Sequence, residues 1–161
     1  MKKVAIFPFL FFGFAMVSSC SSTKKTGVSN MVATMQVDEP IPGVCDNSRV
    51  IAILPFPGNG QVKAQAPLTD QEIEEELNAN VSFLSDKPDY MDKGMVNLVV
   101  NCKGKMVRCQ IDNKTKNPEL DQQIVAVFAK LEEWEAGTIN GKPVDTSVLY
   151  SFEIENGKIM L

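Results

Sequence analysis

Gly94-Met95-Val96-Asn97-Leu98-Val99-Val100-Asn101-Cys102-Lys103-Gly104-Lys105-Met106-Val107-Arg108-Cys109-Gln110-Ile111-Asp112 is the stretch on which the reading of this chain turns. Met95 to Cys102 and Lys105 to Asp112 are two alternating runs about Lys103-Gly104. Successive side chains of a strand point to opposite faces, so Val96, Leu98, Val100 and Cys102 share one face. Val107, Cys109 and Ile111 match them on the returning run, which predicts a hairpin with one buried face. With Lys103-Gly104 as a two-residue turn, Cys102 faces Lys105 and Cys109 faces Leu98.

Outward from the hairpin the signals change period. Asn117-Pro118 supplies an N-cap and a proline at the first helical position. Leu120, Ile124, Val127, Phe128 and Leu131 follow at helical spacing, and Gly137 is the expected helix stop. Val148, Tyr150, Phe152 and Ile154 alternate as a strand up to Asn156-Gly157, after which Ile159 and Leu161 predict a short returning strand. Upstream, Arg49 to Phe56 is a β-rich run stopped at Pro57-Gly58-Asn59-Gly60, and Gln61 to Ala66 is expected to return beside it. Thr69-Asp70-Gln71-Glu72 has capping-box spacing and opens a helix through Ile73, Leu77 and Val81 to about Leu84. The expectation is an α+β domain, an antiparallel sheet with two helices packed on it.

The amino-terminal residues read as an address. Met1-Lys2-Lys3 is positive, Val4 to Met16 is an apolar run of 13 residues, and Val17-Ser18-Ser19-Cys20 follows. That is the order of a secretory signal, and the run is short for a membrane span of about 20 residues. A soluble secreted protein cut near Ser19 is the plainer alternative. Val17-Ser18-Ser19-Cys20 resembles the lipobox of bacterial lipoproteins, which implies lipid on Cys20, cleavage before it and palmitate-type acylation of the new amino terminus. Residues 1–19 are thus the expected signal peptide, 20–44 a lipidated cysteine with a flexible tether, and 45–161 a single domain. Apolar Met31, Val32, Met35 and Val37 leave open that part of the tether packs on the domain. Loss of Lys2 and Lys3 would take the net charge from −4 to −6, and no basic stripe suggests nucleic acid.

Gly94 to Val100 with Lys103-Gly104-Lys105-Met106, Leu120-Asp121, and Trp134-Glu135-Ala136-Gly137-Thr138-Ile139-Asn140-Gly141-Lys142-Pro143-Val144 resemble the TonB C-terminal domain over about residues 88–161. The resemblance implies a β-β-α-β core with a short terminal strand. It also implies a periplasmic domain that binds protein segments at the edge of the strand Val148 to Ile154. The chain departs from that pattern: Pro88-Asp89-Tyr90 is all that remains of a Tyr-Pro element, and Ala136 stands where the family usually has proline. The tether of about 24 residues spans at most roughly 80 Å. The resemblance therefore implies binding or structure, with a role accessory to outer-membrane transport, ahead of energy transduction.

No histidine occurs in the chain, which removes Ser-His and Cys-His pairs and the commonest metal ligand. Cys45, Cys102 and Cys109 lack the close spacing of a zinc site. The predicted register holds Cys102 and Cys109 roughly 13 Å apart, against the about 7 Å a disulfide allows. A Cys45 bridge to either is open in an oxidising compartment, but two buried free thiols and one odd cysteine is the expected state. Gly58-Asn59-Gly60 reads as a turn rather than a phosphate loop, and Glu132, Glu133 and Glu135 as a solvated helix end rather than paired catalytic carboxylates. Trp134 either covers the sheet edge or anchors a bound segment. With Tyr150 and Phe152 it forms the candidate binding set.

No catalytic residue, metal or cofactor is expected. The function expected is a non-catalytic, membrane-anchored envelope lipoprotein that binds a protein partner, with the outer membrane as the expected anchor and the domain facing periplasm or cell surface. The alternative is an envelope glycan- or peptide-acting enzyme using carboxylates such as Asp121, Asp145 or Glu153.

Overall fold

The computed structural model describes residues 33–35, 39–53 and 60–161. The strands are β1 (Ala33–Met35), β2 (Val50–Ala52), β3 (Gln61–Val62), β4 (Asp92–Val100), β5 (Met106–Asn113), β6 (Thr138–Ile139), β7 (Lys142–Pro143), β8 (Thr146–Glu155) and β9 (Lys158–Met160). The helices are α1 (Asp70–Asn80) and α2 (Pro118–Phe128). Six strands form one sheet in the order β1-β2-β8-β4-β5, with β9 also on β8; β3, β6 and β7 form a small second sheet. The fold is α+β, and the large sheet is mixed: β2 runs parallel to β8, where a purely antiparallel sheet was expected. Among the described residues no helix is long and apolar enough to cross a membrane.

Local signals set most elements. Thr69 caps α1, its hydroxyl accepting from the Glu72 N–H while the Glu72 carboxylate accepts from the Thr69 N–H. Hydrogen bonding from Thr69 holds the Glu72 carboxyl below its ordinary range. Ile73 and Leu77 are fully buried, and after Asn80 a 3₁₀ turn (Ser82–Leu84) brings Leu84 into the same core. Asn117 caps α2 through Glu119 N–H and Leu120 N–H, with Pro118 at the first helical position. Beneath the helices lie Val96, Leu98 and Val100 of β4 and Val148, Phe152 and Ile154 of β8. Burying each large apolar side chain stabilises by about 1.5–3 kcal/mol. Asn156-Gly157 turns β8 into β9 with both residues at positive φ, and Ile159 reaches the core as expected.

The decisive hairpin forms, with a different tip. Leu98 faces Cys109 as the alternation requires. The loop, however, has three residues: Asn101 N–H donates to the Lys105 carbonyl at 2.9 Å, and Gly104 N–H donates to the Asn101 carbonyl at 2.9 Å. The Asn101 side chain accepts from Lys103 N–H and Lys105 N–H, the kind of local bond by which asparagine nucleates turns. Cys102 therefore sits in the loop instead of facing Lys105. The register then shifts between Val99, opposite Arg108, and Val100, opposite Met106. A bulge reverses the alternation beyond it, so Met106 takes the core place expected of Val107. Val107 packs instead on the far face with Ile41, Val44, Val50 and Val99.

Gly104 lies at φ +75°, and a Cβ there would collide with the Trp134 carbonyl. Gly104→Ala is expected to lower stability by about 1–3 kcal/mol in denaturant unfolding. An unchanged midpoint would mean that the loop and Trp134 do not hold this contact.

Three further expectations change. β3 pairs with β6 rather than returning beside β2; the turn expected at Pro57-Gly58-Asn59 lies outside the described residues. Helix α2 ends at Phe128, not near Gly137. Leu131 continues the apolar spacing and is buried, but Lys130 N–H and Leu131 N–H already bond three residues back, and Glu135 pairs with Gln65. Gly137 is a close-approach residue, since a Cβ would meet the Thr146 methyl group. Within the stretch read as a tether, Ala33–Met35 adds to the sheet and Ile41 is buried.

Candidate functional site

The candidate aromatic residues belong to the core. Trp134 is 4% exposed, and its indole N–H donates to the Leu131 carbonyl at 3.0 Å. Tyr150, half-buried, stands with its ring centroid 5.1 Å from Phe128 and 6.5 Å from Trp134. Burial, and then the Asp70 charge, push its hydroxyl up to about 12. Phe152 is 1% exposed. The structure thus brings Trp134 and Tyr150 together in one core cluster. Neither Trp134 nor Phe152 offers a surface to a partner as the domain stands. Cys20 lies outside the described residues.

The three carboxylates considered for catalysis are dispersed among separate tasks. Asp121 accepts from Thr115 N–H and the Thr115 hydroxyl, closing the turn before α2. Glu153 is exposed on β8. Asp145, 2% exposed, ties together two distant segments of the chain. Its carboxylate accepts from Cys45 N–H at 3.0 and 2.9 Å, from Asp46 N–H at 2.7 Å and from Cys102 N–H at 2.9 Å. Three backbone donors hold a buried charge in place of water. Glu132, Glu133 and Glu135 are exposed as expected, on irregular chain after α2 rather than on its end.

Cys45 and Cys102 are joined as a disulfide with Cα atoms 6.1 Å apart. The expectation of free thiols fails here because Cys102, moved into the loop, meets the segment that Asp145 anchors. Cys109 is free, as the register requires, and burial pushes its thiol up to about 11. The Cys45 and Cys102 sulfurs and an Asp145 oxygen lie within 4.8 Å of one another. With the sulfurs bonded together and the carboxylate taken by backbone donors, the trio offers no free thiolate to a metal.

A second polar group ties the pre-strand segment to α2. Tyr90 donates to Asp92 at 2.9 Å, and Lys93 N–H and Lys116 N–H donate to the same carboxylate, each at 2.9 Å. Burial pushes the Asp92 carboxyl up, but these bonds and the Lys116 charge outweigh it and the net shift is downward. Burial, then the bond to Asp92, push the Tyr90 hydroxyl up to about 12.

The edges of the large sheet are unequal. Along its outer edge β8 carries β2 at Thr146 and Ser147, and β9 at Glu153 to Glu155. The outer edge of β9 is closed in turn by α1, where Asn78 bonds both the N–H and the carbonyl of Ile159. The outer edge of β5 carries no strand among the described residues. The sequence does not mark Asn101 or the β5 edge, and it shows Asp145 only as a candidate catalytic carboxylate; an asparagine just before a short loop is the one available signal for the rest. No protein-family model, curated protein or solved structure matches this chain.

Proposed function

We propose that this chain is a lipid-anchored envelope protein whose domain, of the TonB C-terminal type, holds a protein segment without catalysing a reaction. The succession β4, β5, α2, β8 and the neighbour order β8-β4-β5 support the TonB-like reading. The Cys45–Cys102 disulfide is compatible with export. The observation that carries the binding role is the unequal pair of edges: the outer edge of the eight-residue strand β5, which carries no strand among the described residues, offers main-chain groups to an extended segment. The dispersed carboxylates, in a chain without histidine, favour binding over hydrolysis.

Cys20→Ser is expected to abolish incorporation of a fatty-acid probe while export continues. Equal labelling of wild type and variant would sink the anchor. In-cell crosslinking of the wild type should yield one defined envelope protein, lost or weakened when the anchor is removed. Turnover of envelope glycan or peptide by the purified chain would instead favour the enzyme.

A further inference from the structure

Two concavities lie between β5 and the α2 side of the domain, one at each end of the strand. The first, about 520 Å³, is walled mainly by Ile111, Pro118, Val125 and Ala126, with Lys114 and Lys116 at its mouth. The second, about 500 Å³, lies between the loop Lys103 to Met106 and Ala129 to Glu133. Between them Cys109 Sγ approaches the Val125 carbonyl at 3.8 Å. A strand with one open edge beside a helix, with an apolar hollow at one end of their shared side and a mixed one at the other, is the geometry that takes an added strand: peptide groups bond the edge and alternate side chains enter the hollows.

Charge selects the occupant. Five of the chain's sixteen Lys and Arg fall between Lys103 and Lys116, against Asp112 in that stretch and Asp121, Glu132 and Glu133 on the facing walls, a local excess of cations in a protein of net charge −4. Lys103, Lys105 and Lys114 are solvent-facing or half-exposed, with no side-chain partner among the described residues. Lys116 is held by the Met91 carbonyl and stands 3.9 Å from Asp92. A second copy of β5 would bring like charges side by side, which is destabilising across paired strands. We infer that the β5 edge and its groove with α2 bind an extended protein segment with apolar alternate residues and acidic flanks. This rests on the partner-holding function above and moves its site from the β8 edge to the opposite side of the sheet.

The test uses the full chain in detergent and two synthetic peptides of about ten residues, the length of a long strand. Both alternate valine and threonine and carry a photoreactive group; one has glutamates at each end, the other lysines. The acidic-ended peptide is expected to bind at least about tenfold tighter at low salt, with most of that preference lost near 1 M salt. Its photo-crosslinks should fall between Met106 and Ala126. Ala126→Glu, an exposed helical substitution at the groove wall, should weaken binding about tenfold or more, because a carboxylate would block the hollow and repel the flanks. Lys114→Glu, on an exposed side chain, should narrow the preference between peptides while leaving the fold intact. Equal binding of the two peptides, no binding of either, or indifference to both substitutions would overturn the inference. So would concentration-dependent pairing of the chain with itself through β5. Crosslinks confined to Ser147 to Glu155 would also overturn it, yet leave the partner-holding function standing, with its site on β8.

Discussion

Replacing Cys45 by serine is expected to lower unfolding stability by about 4 kcal/mol, which corresponds to roughly 10–15 °C in the melting temperature. The bond joins residues separated by 57 positions, so it removes a large share of the freedom of the unfolded chain. It also joins the segment entering β2 to the tip of the β4–β5 hairpin, so its loss loosens both. Serine keeps the volume close to that of cysteine and opens no large cavity. Melting of oxidised wild type, reduced wild type and Cys45→Ser gives the test. Reduced wild type should fall to the level of the variant. If the oxidised protein melted no higher than the variant, the two cysteines would not be bonded in the folded protein.

Asp145→Asn is the second large effect, an expected loss of about 3–5 kcal/mol. Among the described residues the carboxylate is the acceptor for three backbone N–H groups, those of Cys45, Asp46 and Cys102. Asparagine is nearly the same shape but offers one acceptor oxygen and an amide that is itself a donor, so at least one backbone N–H would face another N–H. A buried donor left without its partner loses its hydration with no return. Because Asp145 and the disulfide secure the same junction, the double variant Cys45→Ser with Asp145→Asn should lose less than the sum of the singles. Chemical denaturation of the four proteins measures this. Full additivity would mean that the carboxylate and the disulfide act independently, and a loss under about 1 kcal/mol for Asp145→Asn would remove its structural role.

These two residues mark where local reading stops. Asp145 stands 100 positions from Cys45 and 43 from Cys102, and no spacing in the sequence connects the three. As a sequence feature it was one carboxylate among several. Cys102 was misplaced by a single residue of loop length, yet that residue decides whether its thiol points along the sheet or meets Cys45. The adjoining bulge then sent Val107 to the opposite face, since side-chain direction reverses with each residue along a strand. The overlong α2 arose differently: Leu131 keeps helical spacing, but Trp134 and Glu135 gain more from covering the sheet and pairing with Gln65.

What the sequence determined by itself was set by neighbours a few residues apart, the Asn101 loop and the end of α2 excepted. The capping box at Thr69, the Asn117-Pro118 start of α2, the Asn156-Gly157 turn and the alternation of β4, β8 and the part of β5 after its bulge each carry their cause within one turn or hairpin. Only the tertiary structure decided that β2 lies parallel on β8, that Cys45 takes Cys102, that β3 joins β6, and that β8 is partly covered while β5 is left open among the described residues. Each of those outcomes is a choice among distant partners of similar chemistry. It is settled by which arrangement buries the shared apolar faces while leaving the fewest backbone groups unpaired, and that comparison exists only once the whole chain is folded.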